Sequence, residues 1–306
     1  MPQDMEDRTF VMDYSGNRNA FTFRRLLVAT DFSAISDIAF EYAASIAERY
    51  DAQLYVVHVI DSRPFNLMAS DSESSALAQV HEEAHKKIES LLKTRGIPSE
   101  QYHIVITAGA LPNALIDIMR QHQIDLAILG THGQKGLKKL LAGSVTEEVF
   151  RIAPCAVLNL GPNAWPIVPV PELRHILYPV EFAPDRSEAA KYAVSLAERY
   201  GGKLTIMNVM EDVPASPNQR EDFPIPAIRW IEDHIPKGSD LRGRISFESG
   251  SGPAAEAILD YASDASVDLI VLGIHPMDPI IAAHLPNHDT AYEIVSRATC
   301  PVLTIR

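Results

Sequence analysis

The sequence predicts two doubly wound α/β sandwiches in tandem, each a five-stranded, mostly parallel sheet with helices on both faces. Three observations predict it. The length of 306 residues suits two ordinary domains of roughly 150 residues. Segments recur along the chain: RRLLVATDFS at 24–33 returns as RHILYPVEFA at 174–183, and AERYDAQL at 47–54 returns as AERYGGKL at 197–204. Within each half, short apolar runs alternate with stretches of helical period, as in parallel sheets covered on both faces. The repeat continues through IDLAILG (124–130) with VDLIVLG (267–273), and APCAVL (153–158) with TCPVL (299–303). Repeats of this length mark duplicated structural units.

Taken in order, residues 1–22 lack a periodic pattern and are expected to form a mobile N-terminal arm. The first domain is expected over 23–162, with strands at 26–30, 54–59, 104–107, 126–130 and 156–160, all rich in Val, Ile and Leu. Between them, 34–49 (AISDIAFEYAASIAER) keeps an apolar stripe at three- and four-residue spacing, and 74–95, 111–122 and 144–152 read as helices too. Residues 163–173 form a Pro-rich linker: the seam GPNAWPIVPVPELR (161–174) carries four prolines, which neither a helix nor a sheet interior continues through. The second domain is expected over 174–306, with its last strand at 302–305.

Composition narrows the class. Hydrophobic residues make up 46% and charged residues 22%, a globular balance. No apolar run approaches the ~18 residues of a membrane span, and the start, MPQDMEDR, is acidic where a signal peptide would be basic. The expectation is a cytoplasmic protein with no membrane partner. A net charge of −13, from 27 Lys and Arg against 40 Asp and Glu, argues against a nucleic-acid partner. The only cysteines, Cys155 and Cys300, exclude a disulfide framework and a four-cysteine zinc site. They stand at equivalent places before the last strand of each half, with no neighbouring cation or base to activate them, and read as packing residues. His81-Glu82-Glu83-Ala84-His85 is a literal HExxH, the spacing that zinc ligation requires on one helix face. Lys86 and Lys87 follow directly and no third-ligand pattern is evident, so it reads as a solvated helix.

In open parallel sheets, ligands bind beyond the carboxyl ends of strands, where the strand order reverses. That singles out Thr30-Asp31-Phe32-Ser33, Val59-Ile60-Asp61 and the stretch GTHGQKGLKKLLAGSVTEEV from Gly130. Its glycines let backbone amides approach a phosphate, and the helix start at Ser144 adds first-turn amides facing the same anion. Lys135, Lys138 and Lys139 make it the basic stretch of this half. Taken alone it also suits an ordinary strand-to-helix connection. It contains neither the P-loop GxxxxGK[ST] nor the dinucleotide GxGxxG.

Gly130-x2-Gly133-x9-Gly143-Ser144 resembles the nucleotide motif of the universal stress protein family, as do Ala29-Thr30-Asp31-Phe32-Ser33, His58-Val59-Ile60-Asp61 and Pro154-Cys155-Ala156-Val157-Leu158. Both halves share the resemblance, which implies a tandem protein of adenine-nucleotide α-hydrolase-like fold. It implies that the adenine and ribose of ATP lie against Ala29, Thr30, Asp31 and Val59. The triphosphate would follow Gly130, Thr131, His132, Gly133 and Gln134, then Gly143, Ser144, Val145 and Thr146. ADP and AMP are alternative ligands, and Mg²⁺ or Mn²⁺ would accompany the phosphates. The family commonly dimerises through its last strands, which implies intrachain pairing of 156–160 with 302–305 and a homodimer as a further level of assembly. A nucleotide-dependent stress-response switch with little or no turnover is the leading reading. A slow metal-dependent ATPase using Asp31 and a scaffold with structural nucleotide are the alternatives, since no Ser/His/Asp constellation assembles from these segments.

The second half departs from the motif. Glu181 replaces Asp31, Gly273 keeps the place of Gly130, Pro276 replaces Gly133, and His288-Asp289 align with Gly143-Ser144. A proline removes a backbone donor, and the Asp289 carboxylate would repel phosphate. This half is expected not to bind ATP in the family manner. His275, His284 and His288 with Asp278 and Asp289 leave a metal site there as an alternative, although Pro286 works against helical ligation by His284 and His288.

Overall fold

The computed structural model describes residues 22–61, 70–131, 144–164, 172–180, 188–210, 229–230, 233–274 and 290–306. The expectations for the arm before residue 22, for 165–171 of the linker, and for Glu181 and 275–289 lie outside these residues. In the first half β1 (Arg25–Ala29), β2 (Gln53–Ile60), β3 (Tyr102–Ala108), β4 (Leu126–Gly130) and β5 (Ala156–Leu160) run in the order β3-β2-β1-β4-β5. In the second, β6 (His175–Pro179), β7 (Lys203–Met210), β8 (Ile245–Ser251), β9 (Leu269–Gly273) and β10 (Val302–Ile305) repeat it as β8-β7-β6-β9-β10. Pairing within each half is parallel. Every expected strand falls on an observed one.

The two expected sandwiches are both present and join edge to edge. β5 and β10 pair antiparallel, with Leu158 opposite Leu303, and close a single ten-stranded sheet. Leu158 and Leu303 are equivalent residues of the repeat, so a pseudo-twofold axis passes through this pair. Every residue of both strands is buried, and strands of that kind cannot be left as open edges. Asn159 and Thr304, also equivalent, lock the seam: the Asn159 amide donates to the Val302 carbonyl at 3.1 Å, and the Thr304 hydroxyl donates to the Val157 carbonyl at 3.1 Å.

Helices α1 (Ala34–Tyr50), α2 (Ser70–Arg95) and α5 (Glu188–Tyr200) cover one face of the sheet. The other carries α3 (Leu111–Gln121), α4 (Ser144–Ile152), α6 (Ala254–Asp264) and α7 (Thr290–Arg297). Each face holds one apolar core that draws on both halves. The repeated AERY ends α1 and α5 at the axis. There Arg49 lies 4.3 Å over the Tyr200 ring and Arg199 lies 4.1 Å over the Tyr50 ring. The two phenols are hydrogen-bonded, and burial, foremost, raises both above their ordinary pKa. Reciprocal cation–π contacts of this kind contribute about 0.5–1 kcal/mol each at partly exposed sites.

The repeated aspartates of IDLAILG and VDLIVLG have the same task. Asp125 Oδ2 accepts from the amides of Arg24 and Arg25, both at 2.9 Å, and Asp268 Oδ2 accepts from Arg174 and His175, both at 2.8 Å. Each carboxylate ties the start of a central strand to its neighbour. Cys155 and Cys300 are buried before β5 and β10. Desolvation, then the Asp268 charge, pushes the Cys300 thiol up to about 12, so it stays protonated near neutral pH. The HExxH lies on α2 with His81, Glu82 and Glu83 exposed; Glu82 pairs with Lys86 at 3.1 Å, and the Glu83 carboxylate accepts from Gln79.

Two predictions test this frame. Asp125→Ala leaves two strand amides without their acceptor and should cost about 2 kcal/mol in chemical denaturation, whereas Asp125→Asn keeps an oxygen there and should cost less. Equal losses would contradict the capping role. The second concerns His175, whose Nδ1–H donates to the Ala265 carbonyl at 3.1 Å and whose Nε2 accepts from the Thr205 hydroxyl at 2.8 Å. Desolvation, foremost, lowers its pKa below the ordinary 6.5. The unfolded chain therefore takes up this proton first. The stability it contributes is complete above 6.5 and declines as pH falls below that value. The melting temperature of the wild type should fall further between about pH 7 and pH 5 than that of His175→Gln. Parallel falls would overturn the assignment.

Candidate functional site

Strand order reverses between β1 and β4, where the connection from β1 leads to β2 on one side and β4 lies on the other. Extending the register Val28↔Ile128 by two residues sets Thr30 beside Gly130 at the carboxyl ends. Val59, half-buried near the end of β2, stands next along the rim. Ala29, Thr30, Asp31, Val59, Gly130 and Thr131 thus gather along one edge of the sheet. Thr146 is buried in the first turns of α4, which begins at Ser144 and Val145. His132, Gly133, Gln134 and Gly143 lie outside the described residues.

The turn from β1 into α1 is built by short-range hydrogen bonds. The Phe32 amide donates to Thr30 Oγ1 at 3.1 Å, the Thr30 hydroxyl donates to Ser36 Oγ at 3.2 Å, and Ser36 Oγ donates to the Ser33 carbonyl at 2.9 Å. That direction follows because the last group can only accept. The Ser33 amide donates to Asp31 Oδ1 at 3.1 Å, and Ser33 caps α1 by accepting from the Ser36 amide. Phe32 takes φ 61°, a left-handed conformation that costs a residue with a side chain about 1–2 kcal/mol. The turn therefore holds Asp31 in one orientation against a strained neighbour. Desolvation, then the Asp31 charge, raises the Asp37 carboxyl in the first turn of α1.

Gly130 closes the other wall. A Cβ there would meet Ile35 Cγ1 at 3.0 Å and Cγ2 at 3.2 Å, so α1 rests directly on the end of β4. The chain then turns inward, and the Thr131 amide donates to the Leu160 carbonyl at 3.0 Å. The second half keeps this backbone frame: the amides of Val180 and Ile274 donate to Met207 and Ile305, as those of Thr30 and Thr131 donate to Val57 and Leu160. What an N-terminal helix turn, a fixed carboxylate and a strand end without a side chain can do together is hold a polar, hydroxyl-bearing anion.

Phe32, Ser36 and His58 support the turn, and their partnership was not readable from spacing. His58 Nδ1–H donates to the Thr30 carbonyl at 2.8 Å, and its ring lies 4.7 Å from that of Phe32. The available signal was the repeat itself, which sets Asn208 at the position of His58, both residues with an N–H to donate.

These features define a tandem, doubly wound α/β protein with a crevice at a strand switch point. The sequence model of the universal stress protein family matches residues 22–160 and again 172–306, and the chain belongs to that family, with two such domains. A universal stress protein of Methanocaldococcus jannaschii is 30% identical over 140 residues, covering 44% of this chain and 81% of the relative. Universal stress protein A homolog 1 of Coxiella burnetii is 34% identical over 142 residues, covering 44% of this chain and 94% of its own. Among solved structures, a universal stress protein from Archaeoglobus fulgidus superposes with a TM-score of 0.69 at 19% identity, covering 94% of this chain and 98% of that one, a likeness of fold. Among the described residues no helix is long and apolar enough to cross a membrane.

The Gly130–Ile35 contact yields a prediction. Gly130→Ala should destabilise the chain in the wild-type background and much less in an Ile35→Ala background, with a coupling of about 1 kcal/mol in a double-mutant cycle. Additive losses would show that α1 does not rest on Gly130.

Proposed function

We propose that the first half binds ATP at this crevice, and that the protein is a cytoplasmic stress-response switch in which nucleotide occupancy, not turnover, controls conformation or partner choice. The observation that supports this best is the locked Thr30–Ser33 turn, which holds the Asp31 carboxylate at the switch point. In this reading Asp31 accepts from the ribose hydroxyls, and Ala29, Thr30 and Val59 border the nucleoside. Gly130, Thr131, His132, Gly133 and Gln134 follow the phosphates to Gly143, Ser144, Val145 and Thr146. Mg²⁺ or Mn²⁺ suits hard oxygen donors and would accompany the phosphates. ADP and AMP would use the same nucleoside contacts with fewer phosphate contacts.

The second half, in this reading, keeps the frame and not the ligand. Its backbone hydrogen bonds match those of the first half, while Glu181, Pro276 and Asp289 replace the residues that would meet nucleotide. Family membership supports the nucleotide reading for the first half, and the substitutions at Glu181, Pro276 and Asp289 support the loss in the second.

Titration of the intact chain with ATP should give one site. Gly133→Val, Gly143→Val and Asp31→Ala should each weaken it at least about tenfold, a loss of about 1.4 kcal/mol, with the melting temperature retained. Mass analysis of ligand released from freshly purified protein should identify an adenine nucleotide, and ADP release with Mg²⁺ should stay below about 1 s⁻¹. Two equivalent sites, or unaltered affinity in these variants, would refute the assignment.

A further inference from the structure

We propose that His58 is a positioning residue: its Nδ1–H and its ring hold the β1–α1 turn in the shape that orients Asp31, and what the site requires of it is a planar N–H donor. The consequence for affinity rests on the nucleotide reading above. The consequence for the turn does not.

The argument begins with the acceptor. Thr30 is buried, its amide donates to the Val57 carbonyl across to β2, and its own carbonyl receives the imidazole N–H at 2.8 Å. A carbonyl only accepts, so Nδ1 carries a proton and acts as the donor. That ring then lies 4.7 Å from Phe32, with Lys87 Nζ 5.0 Å from the Phe32 ring. Phe32 is the left-handed residue at φ 61°, so His58 contacts both the residue before Asp31 and the strained residue after it. Strain of this kind persists only where the surroundings over-determine it. His58 is the side chain from a neighbouring strand that does so at both points.

The chain contains its own comparison. At the equivalent place on β7, Asn208 Nδ2 donates to the Val180 carbonyl at 2.9 Å. An amide shares with imidazole a planar N–H at similar reach and does not ionise near neutral pH. Two copies of the frame have thus kept the donor while differing in acid–base chemistry. The tie meets the residue that directly follows β1 in one half and β6 in the other, and in the first half that residue precedes Asp31.

The test uses the full chain without ligand and then with ATP. In His58→Leu, the amides of Phe32 and Ser33 should exchange with solvent at least about tenfold faster by NMR while amides in β4 keep their rates. His58→Asn should stay within about threefold of wild type. ATP affinity should follow the same order, weakened about tenfold by His58→Leu and restored by His58→Asn. His58→Ala, with imidazole added to the buffer, is the second variant: imidazole should slow exchange at Phe32 and Ser33 again. Unchanged exchange in His58→Leu and in His58→Ala, or His58→Asn impaired as much as His58→Leu, would overturn the proposal. A wild type that binds no ATP would refute the nucleotide reading alone, because the exchange ratios decide the role of His58 without it.

Discussion

The β5–β10 seam is the interaction on which the rest of the structure depends. A strand buried along its whole length cannot present its backbone N–H and C=O groups to an empty edge without losing a hydrogen bond at each. Each half has one such strand, and antiparallel pairing of the two satisfies both. Because Leu158 faces its own counterpart Leu303, the seam creates an axis, and equivalent residues then meet across it. Asn159 reaches Thr304, and Arg49 and Arg199 exchange tyrosines. The two apolar cores cross the same seam, so neither half encloses its core alone.

Duplication separates structural devices from local ones. Asp125 and Asp268 perform one task with one residue type, as do Arg49 and Arg199. His58 and Asn208 perform one task with two types. Elsewhere the halves diverge on the same frame. In the first, Tyr55 stacks on His103 at 4.6 Å and meets His122 at 4.9 Å. In the second, Thr205 replaces that tyrosine and joins His175, Ser246 and Tyr261 in a hydrogen-bonded group. The aromatic stack gains from packing and the hydrogen-bonded group from satisfied polar atoms, and in that group desolvation lowers the His175 pKa.

The crevice concentrates local cost. Phe32 holds an unfavourable backbone angle, and Gly130 leaves α1 in contact with the end of β4. Hydrogen bonds within six residues of Thr30, together with one from β2, offset the strain and leave Asp31 with a fixed neighbourhood. The whole chain carries a charge of −13, so the field of the molecule as a whole does not favour an anion there.

The sequence by itself determined the elements and their duplication. Strand and helix positions depend on periodicity over a few residues, and the observed ranges, such as Ala156–Leu160 and Ser144–Ile152, coincide with those read from pattern. The candidate site was read as three strand ends and a glycine spacing, since those are contiguous motifs, and the seam followed from an edge-strand argument joined to a family resemblance. The tertiary structure decided what the repeated residues do. Nothing in IDLAILG says that its aspartate binds amides 100 residues earlier, nothing in AERY says that its arginine stacks on the tyrosine of the other copy, and nothing in HVID says that its histidine holds the turn before Asp31. Those partners are set by register across β1, β2, β4, β5 and β10, and register comes from packing whole strands against one another, which local pattern leaves free.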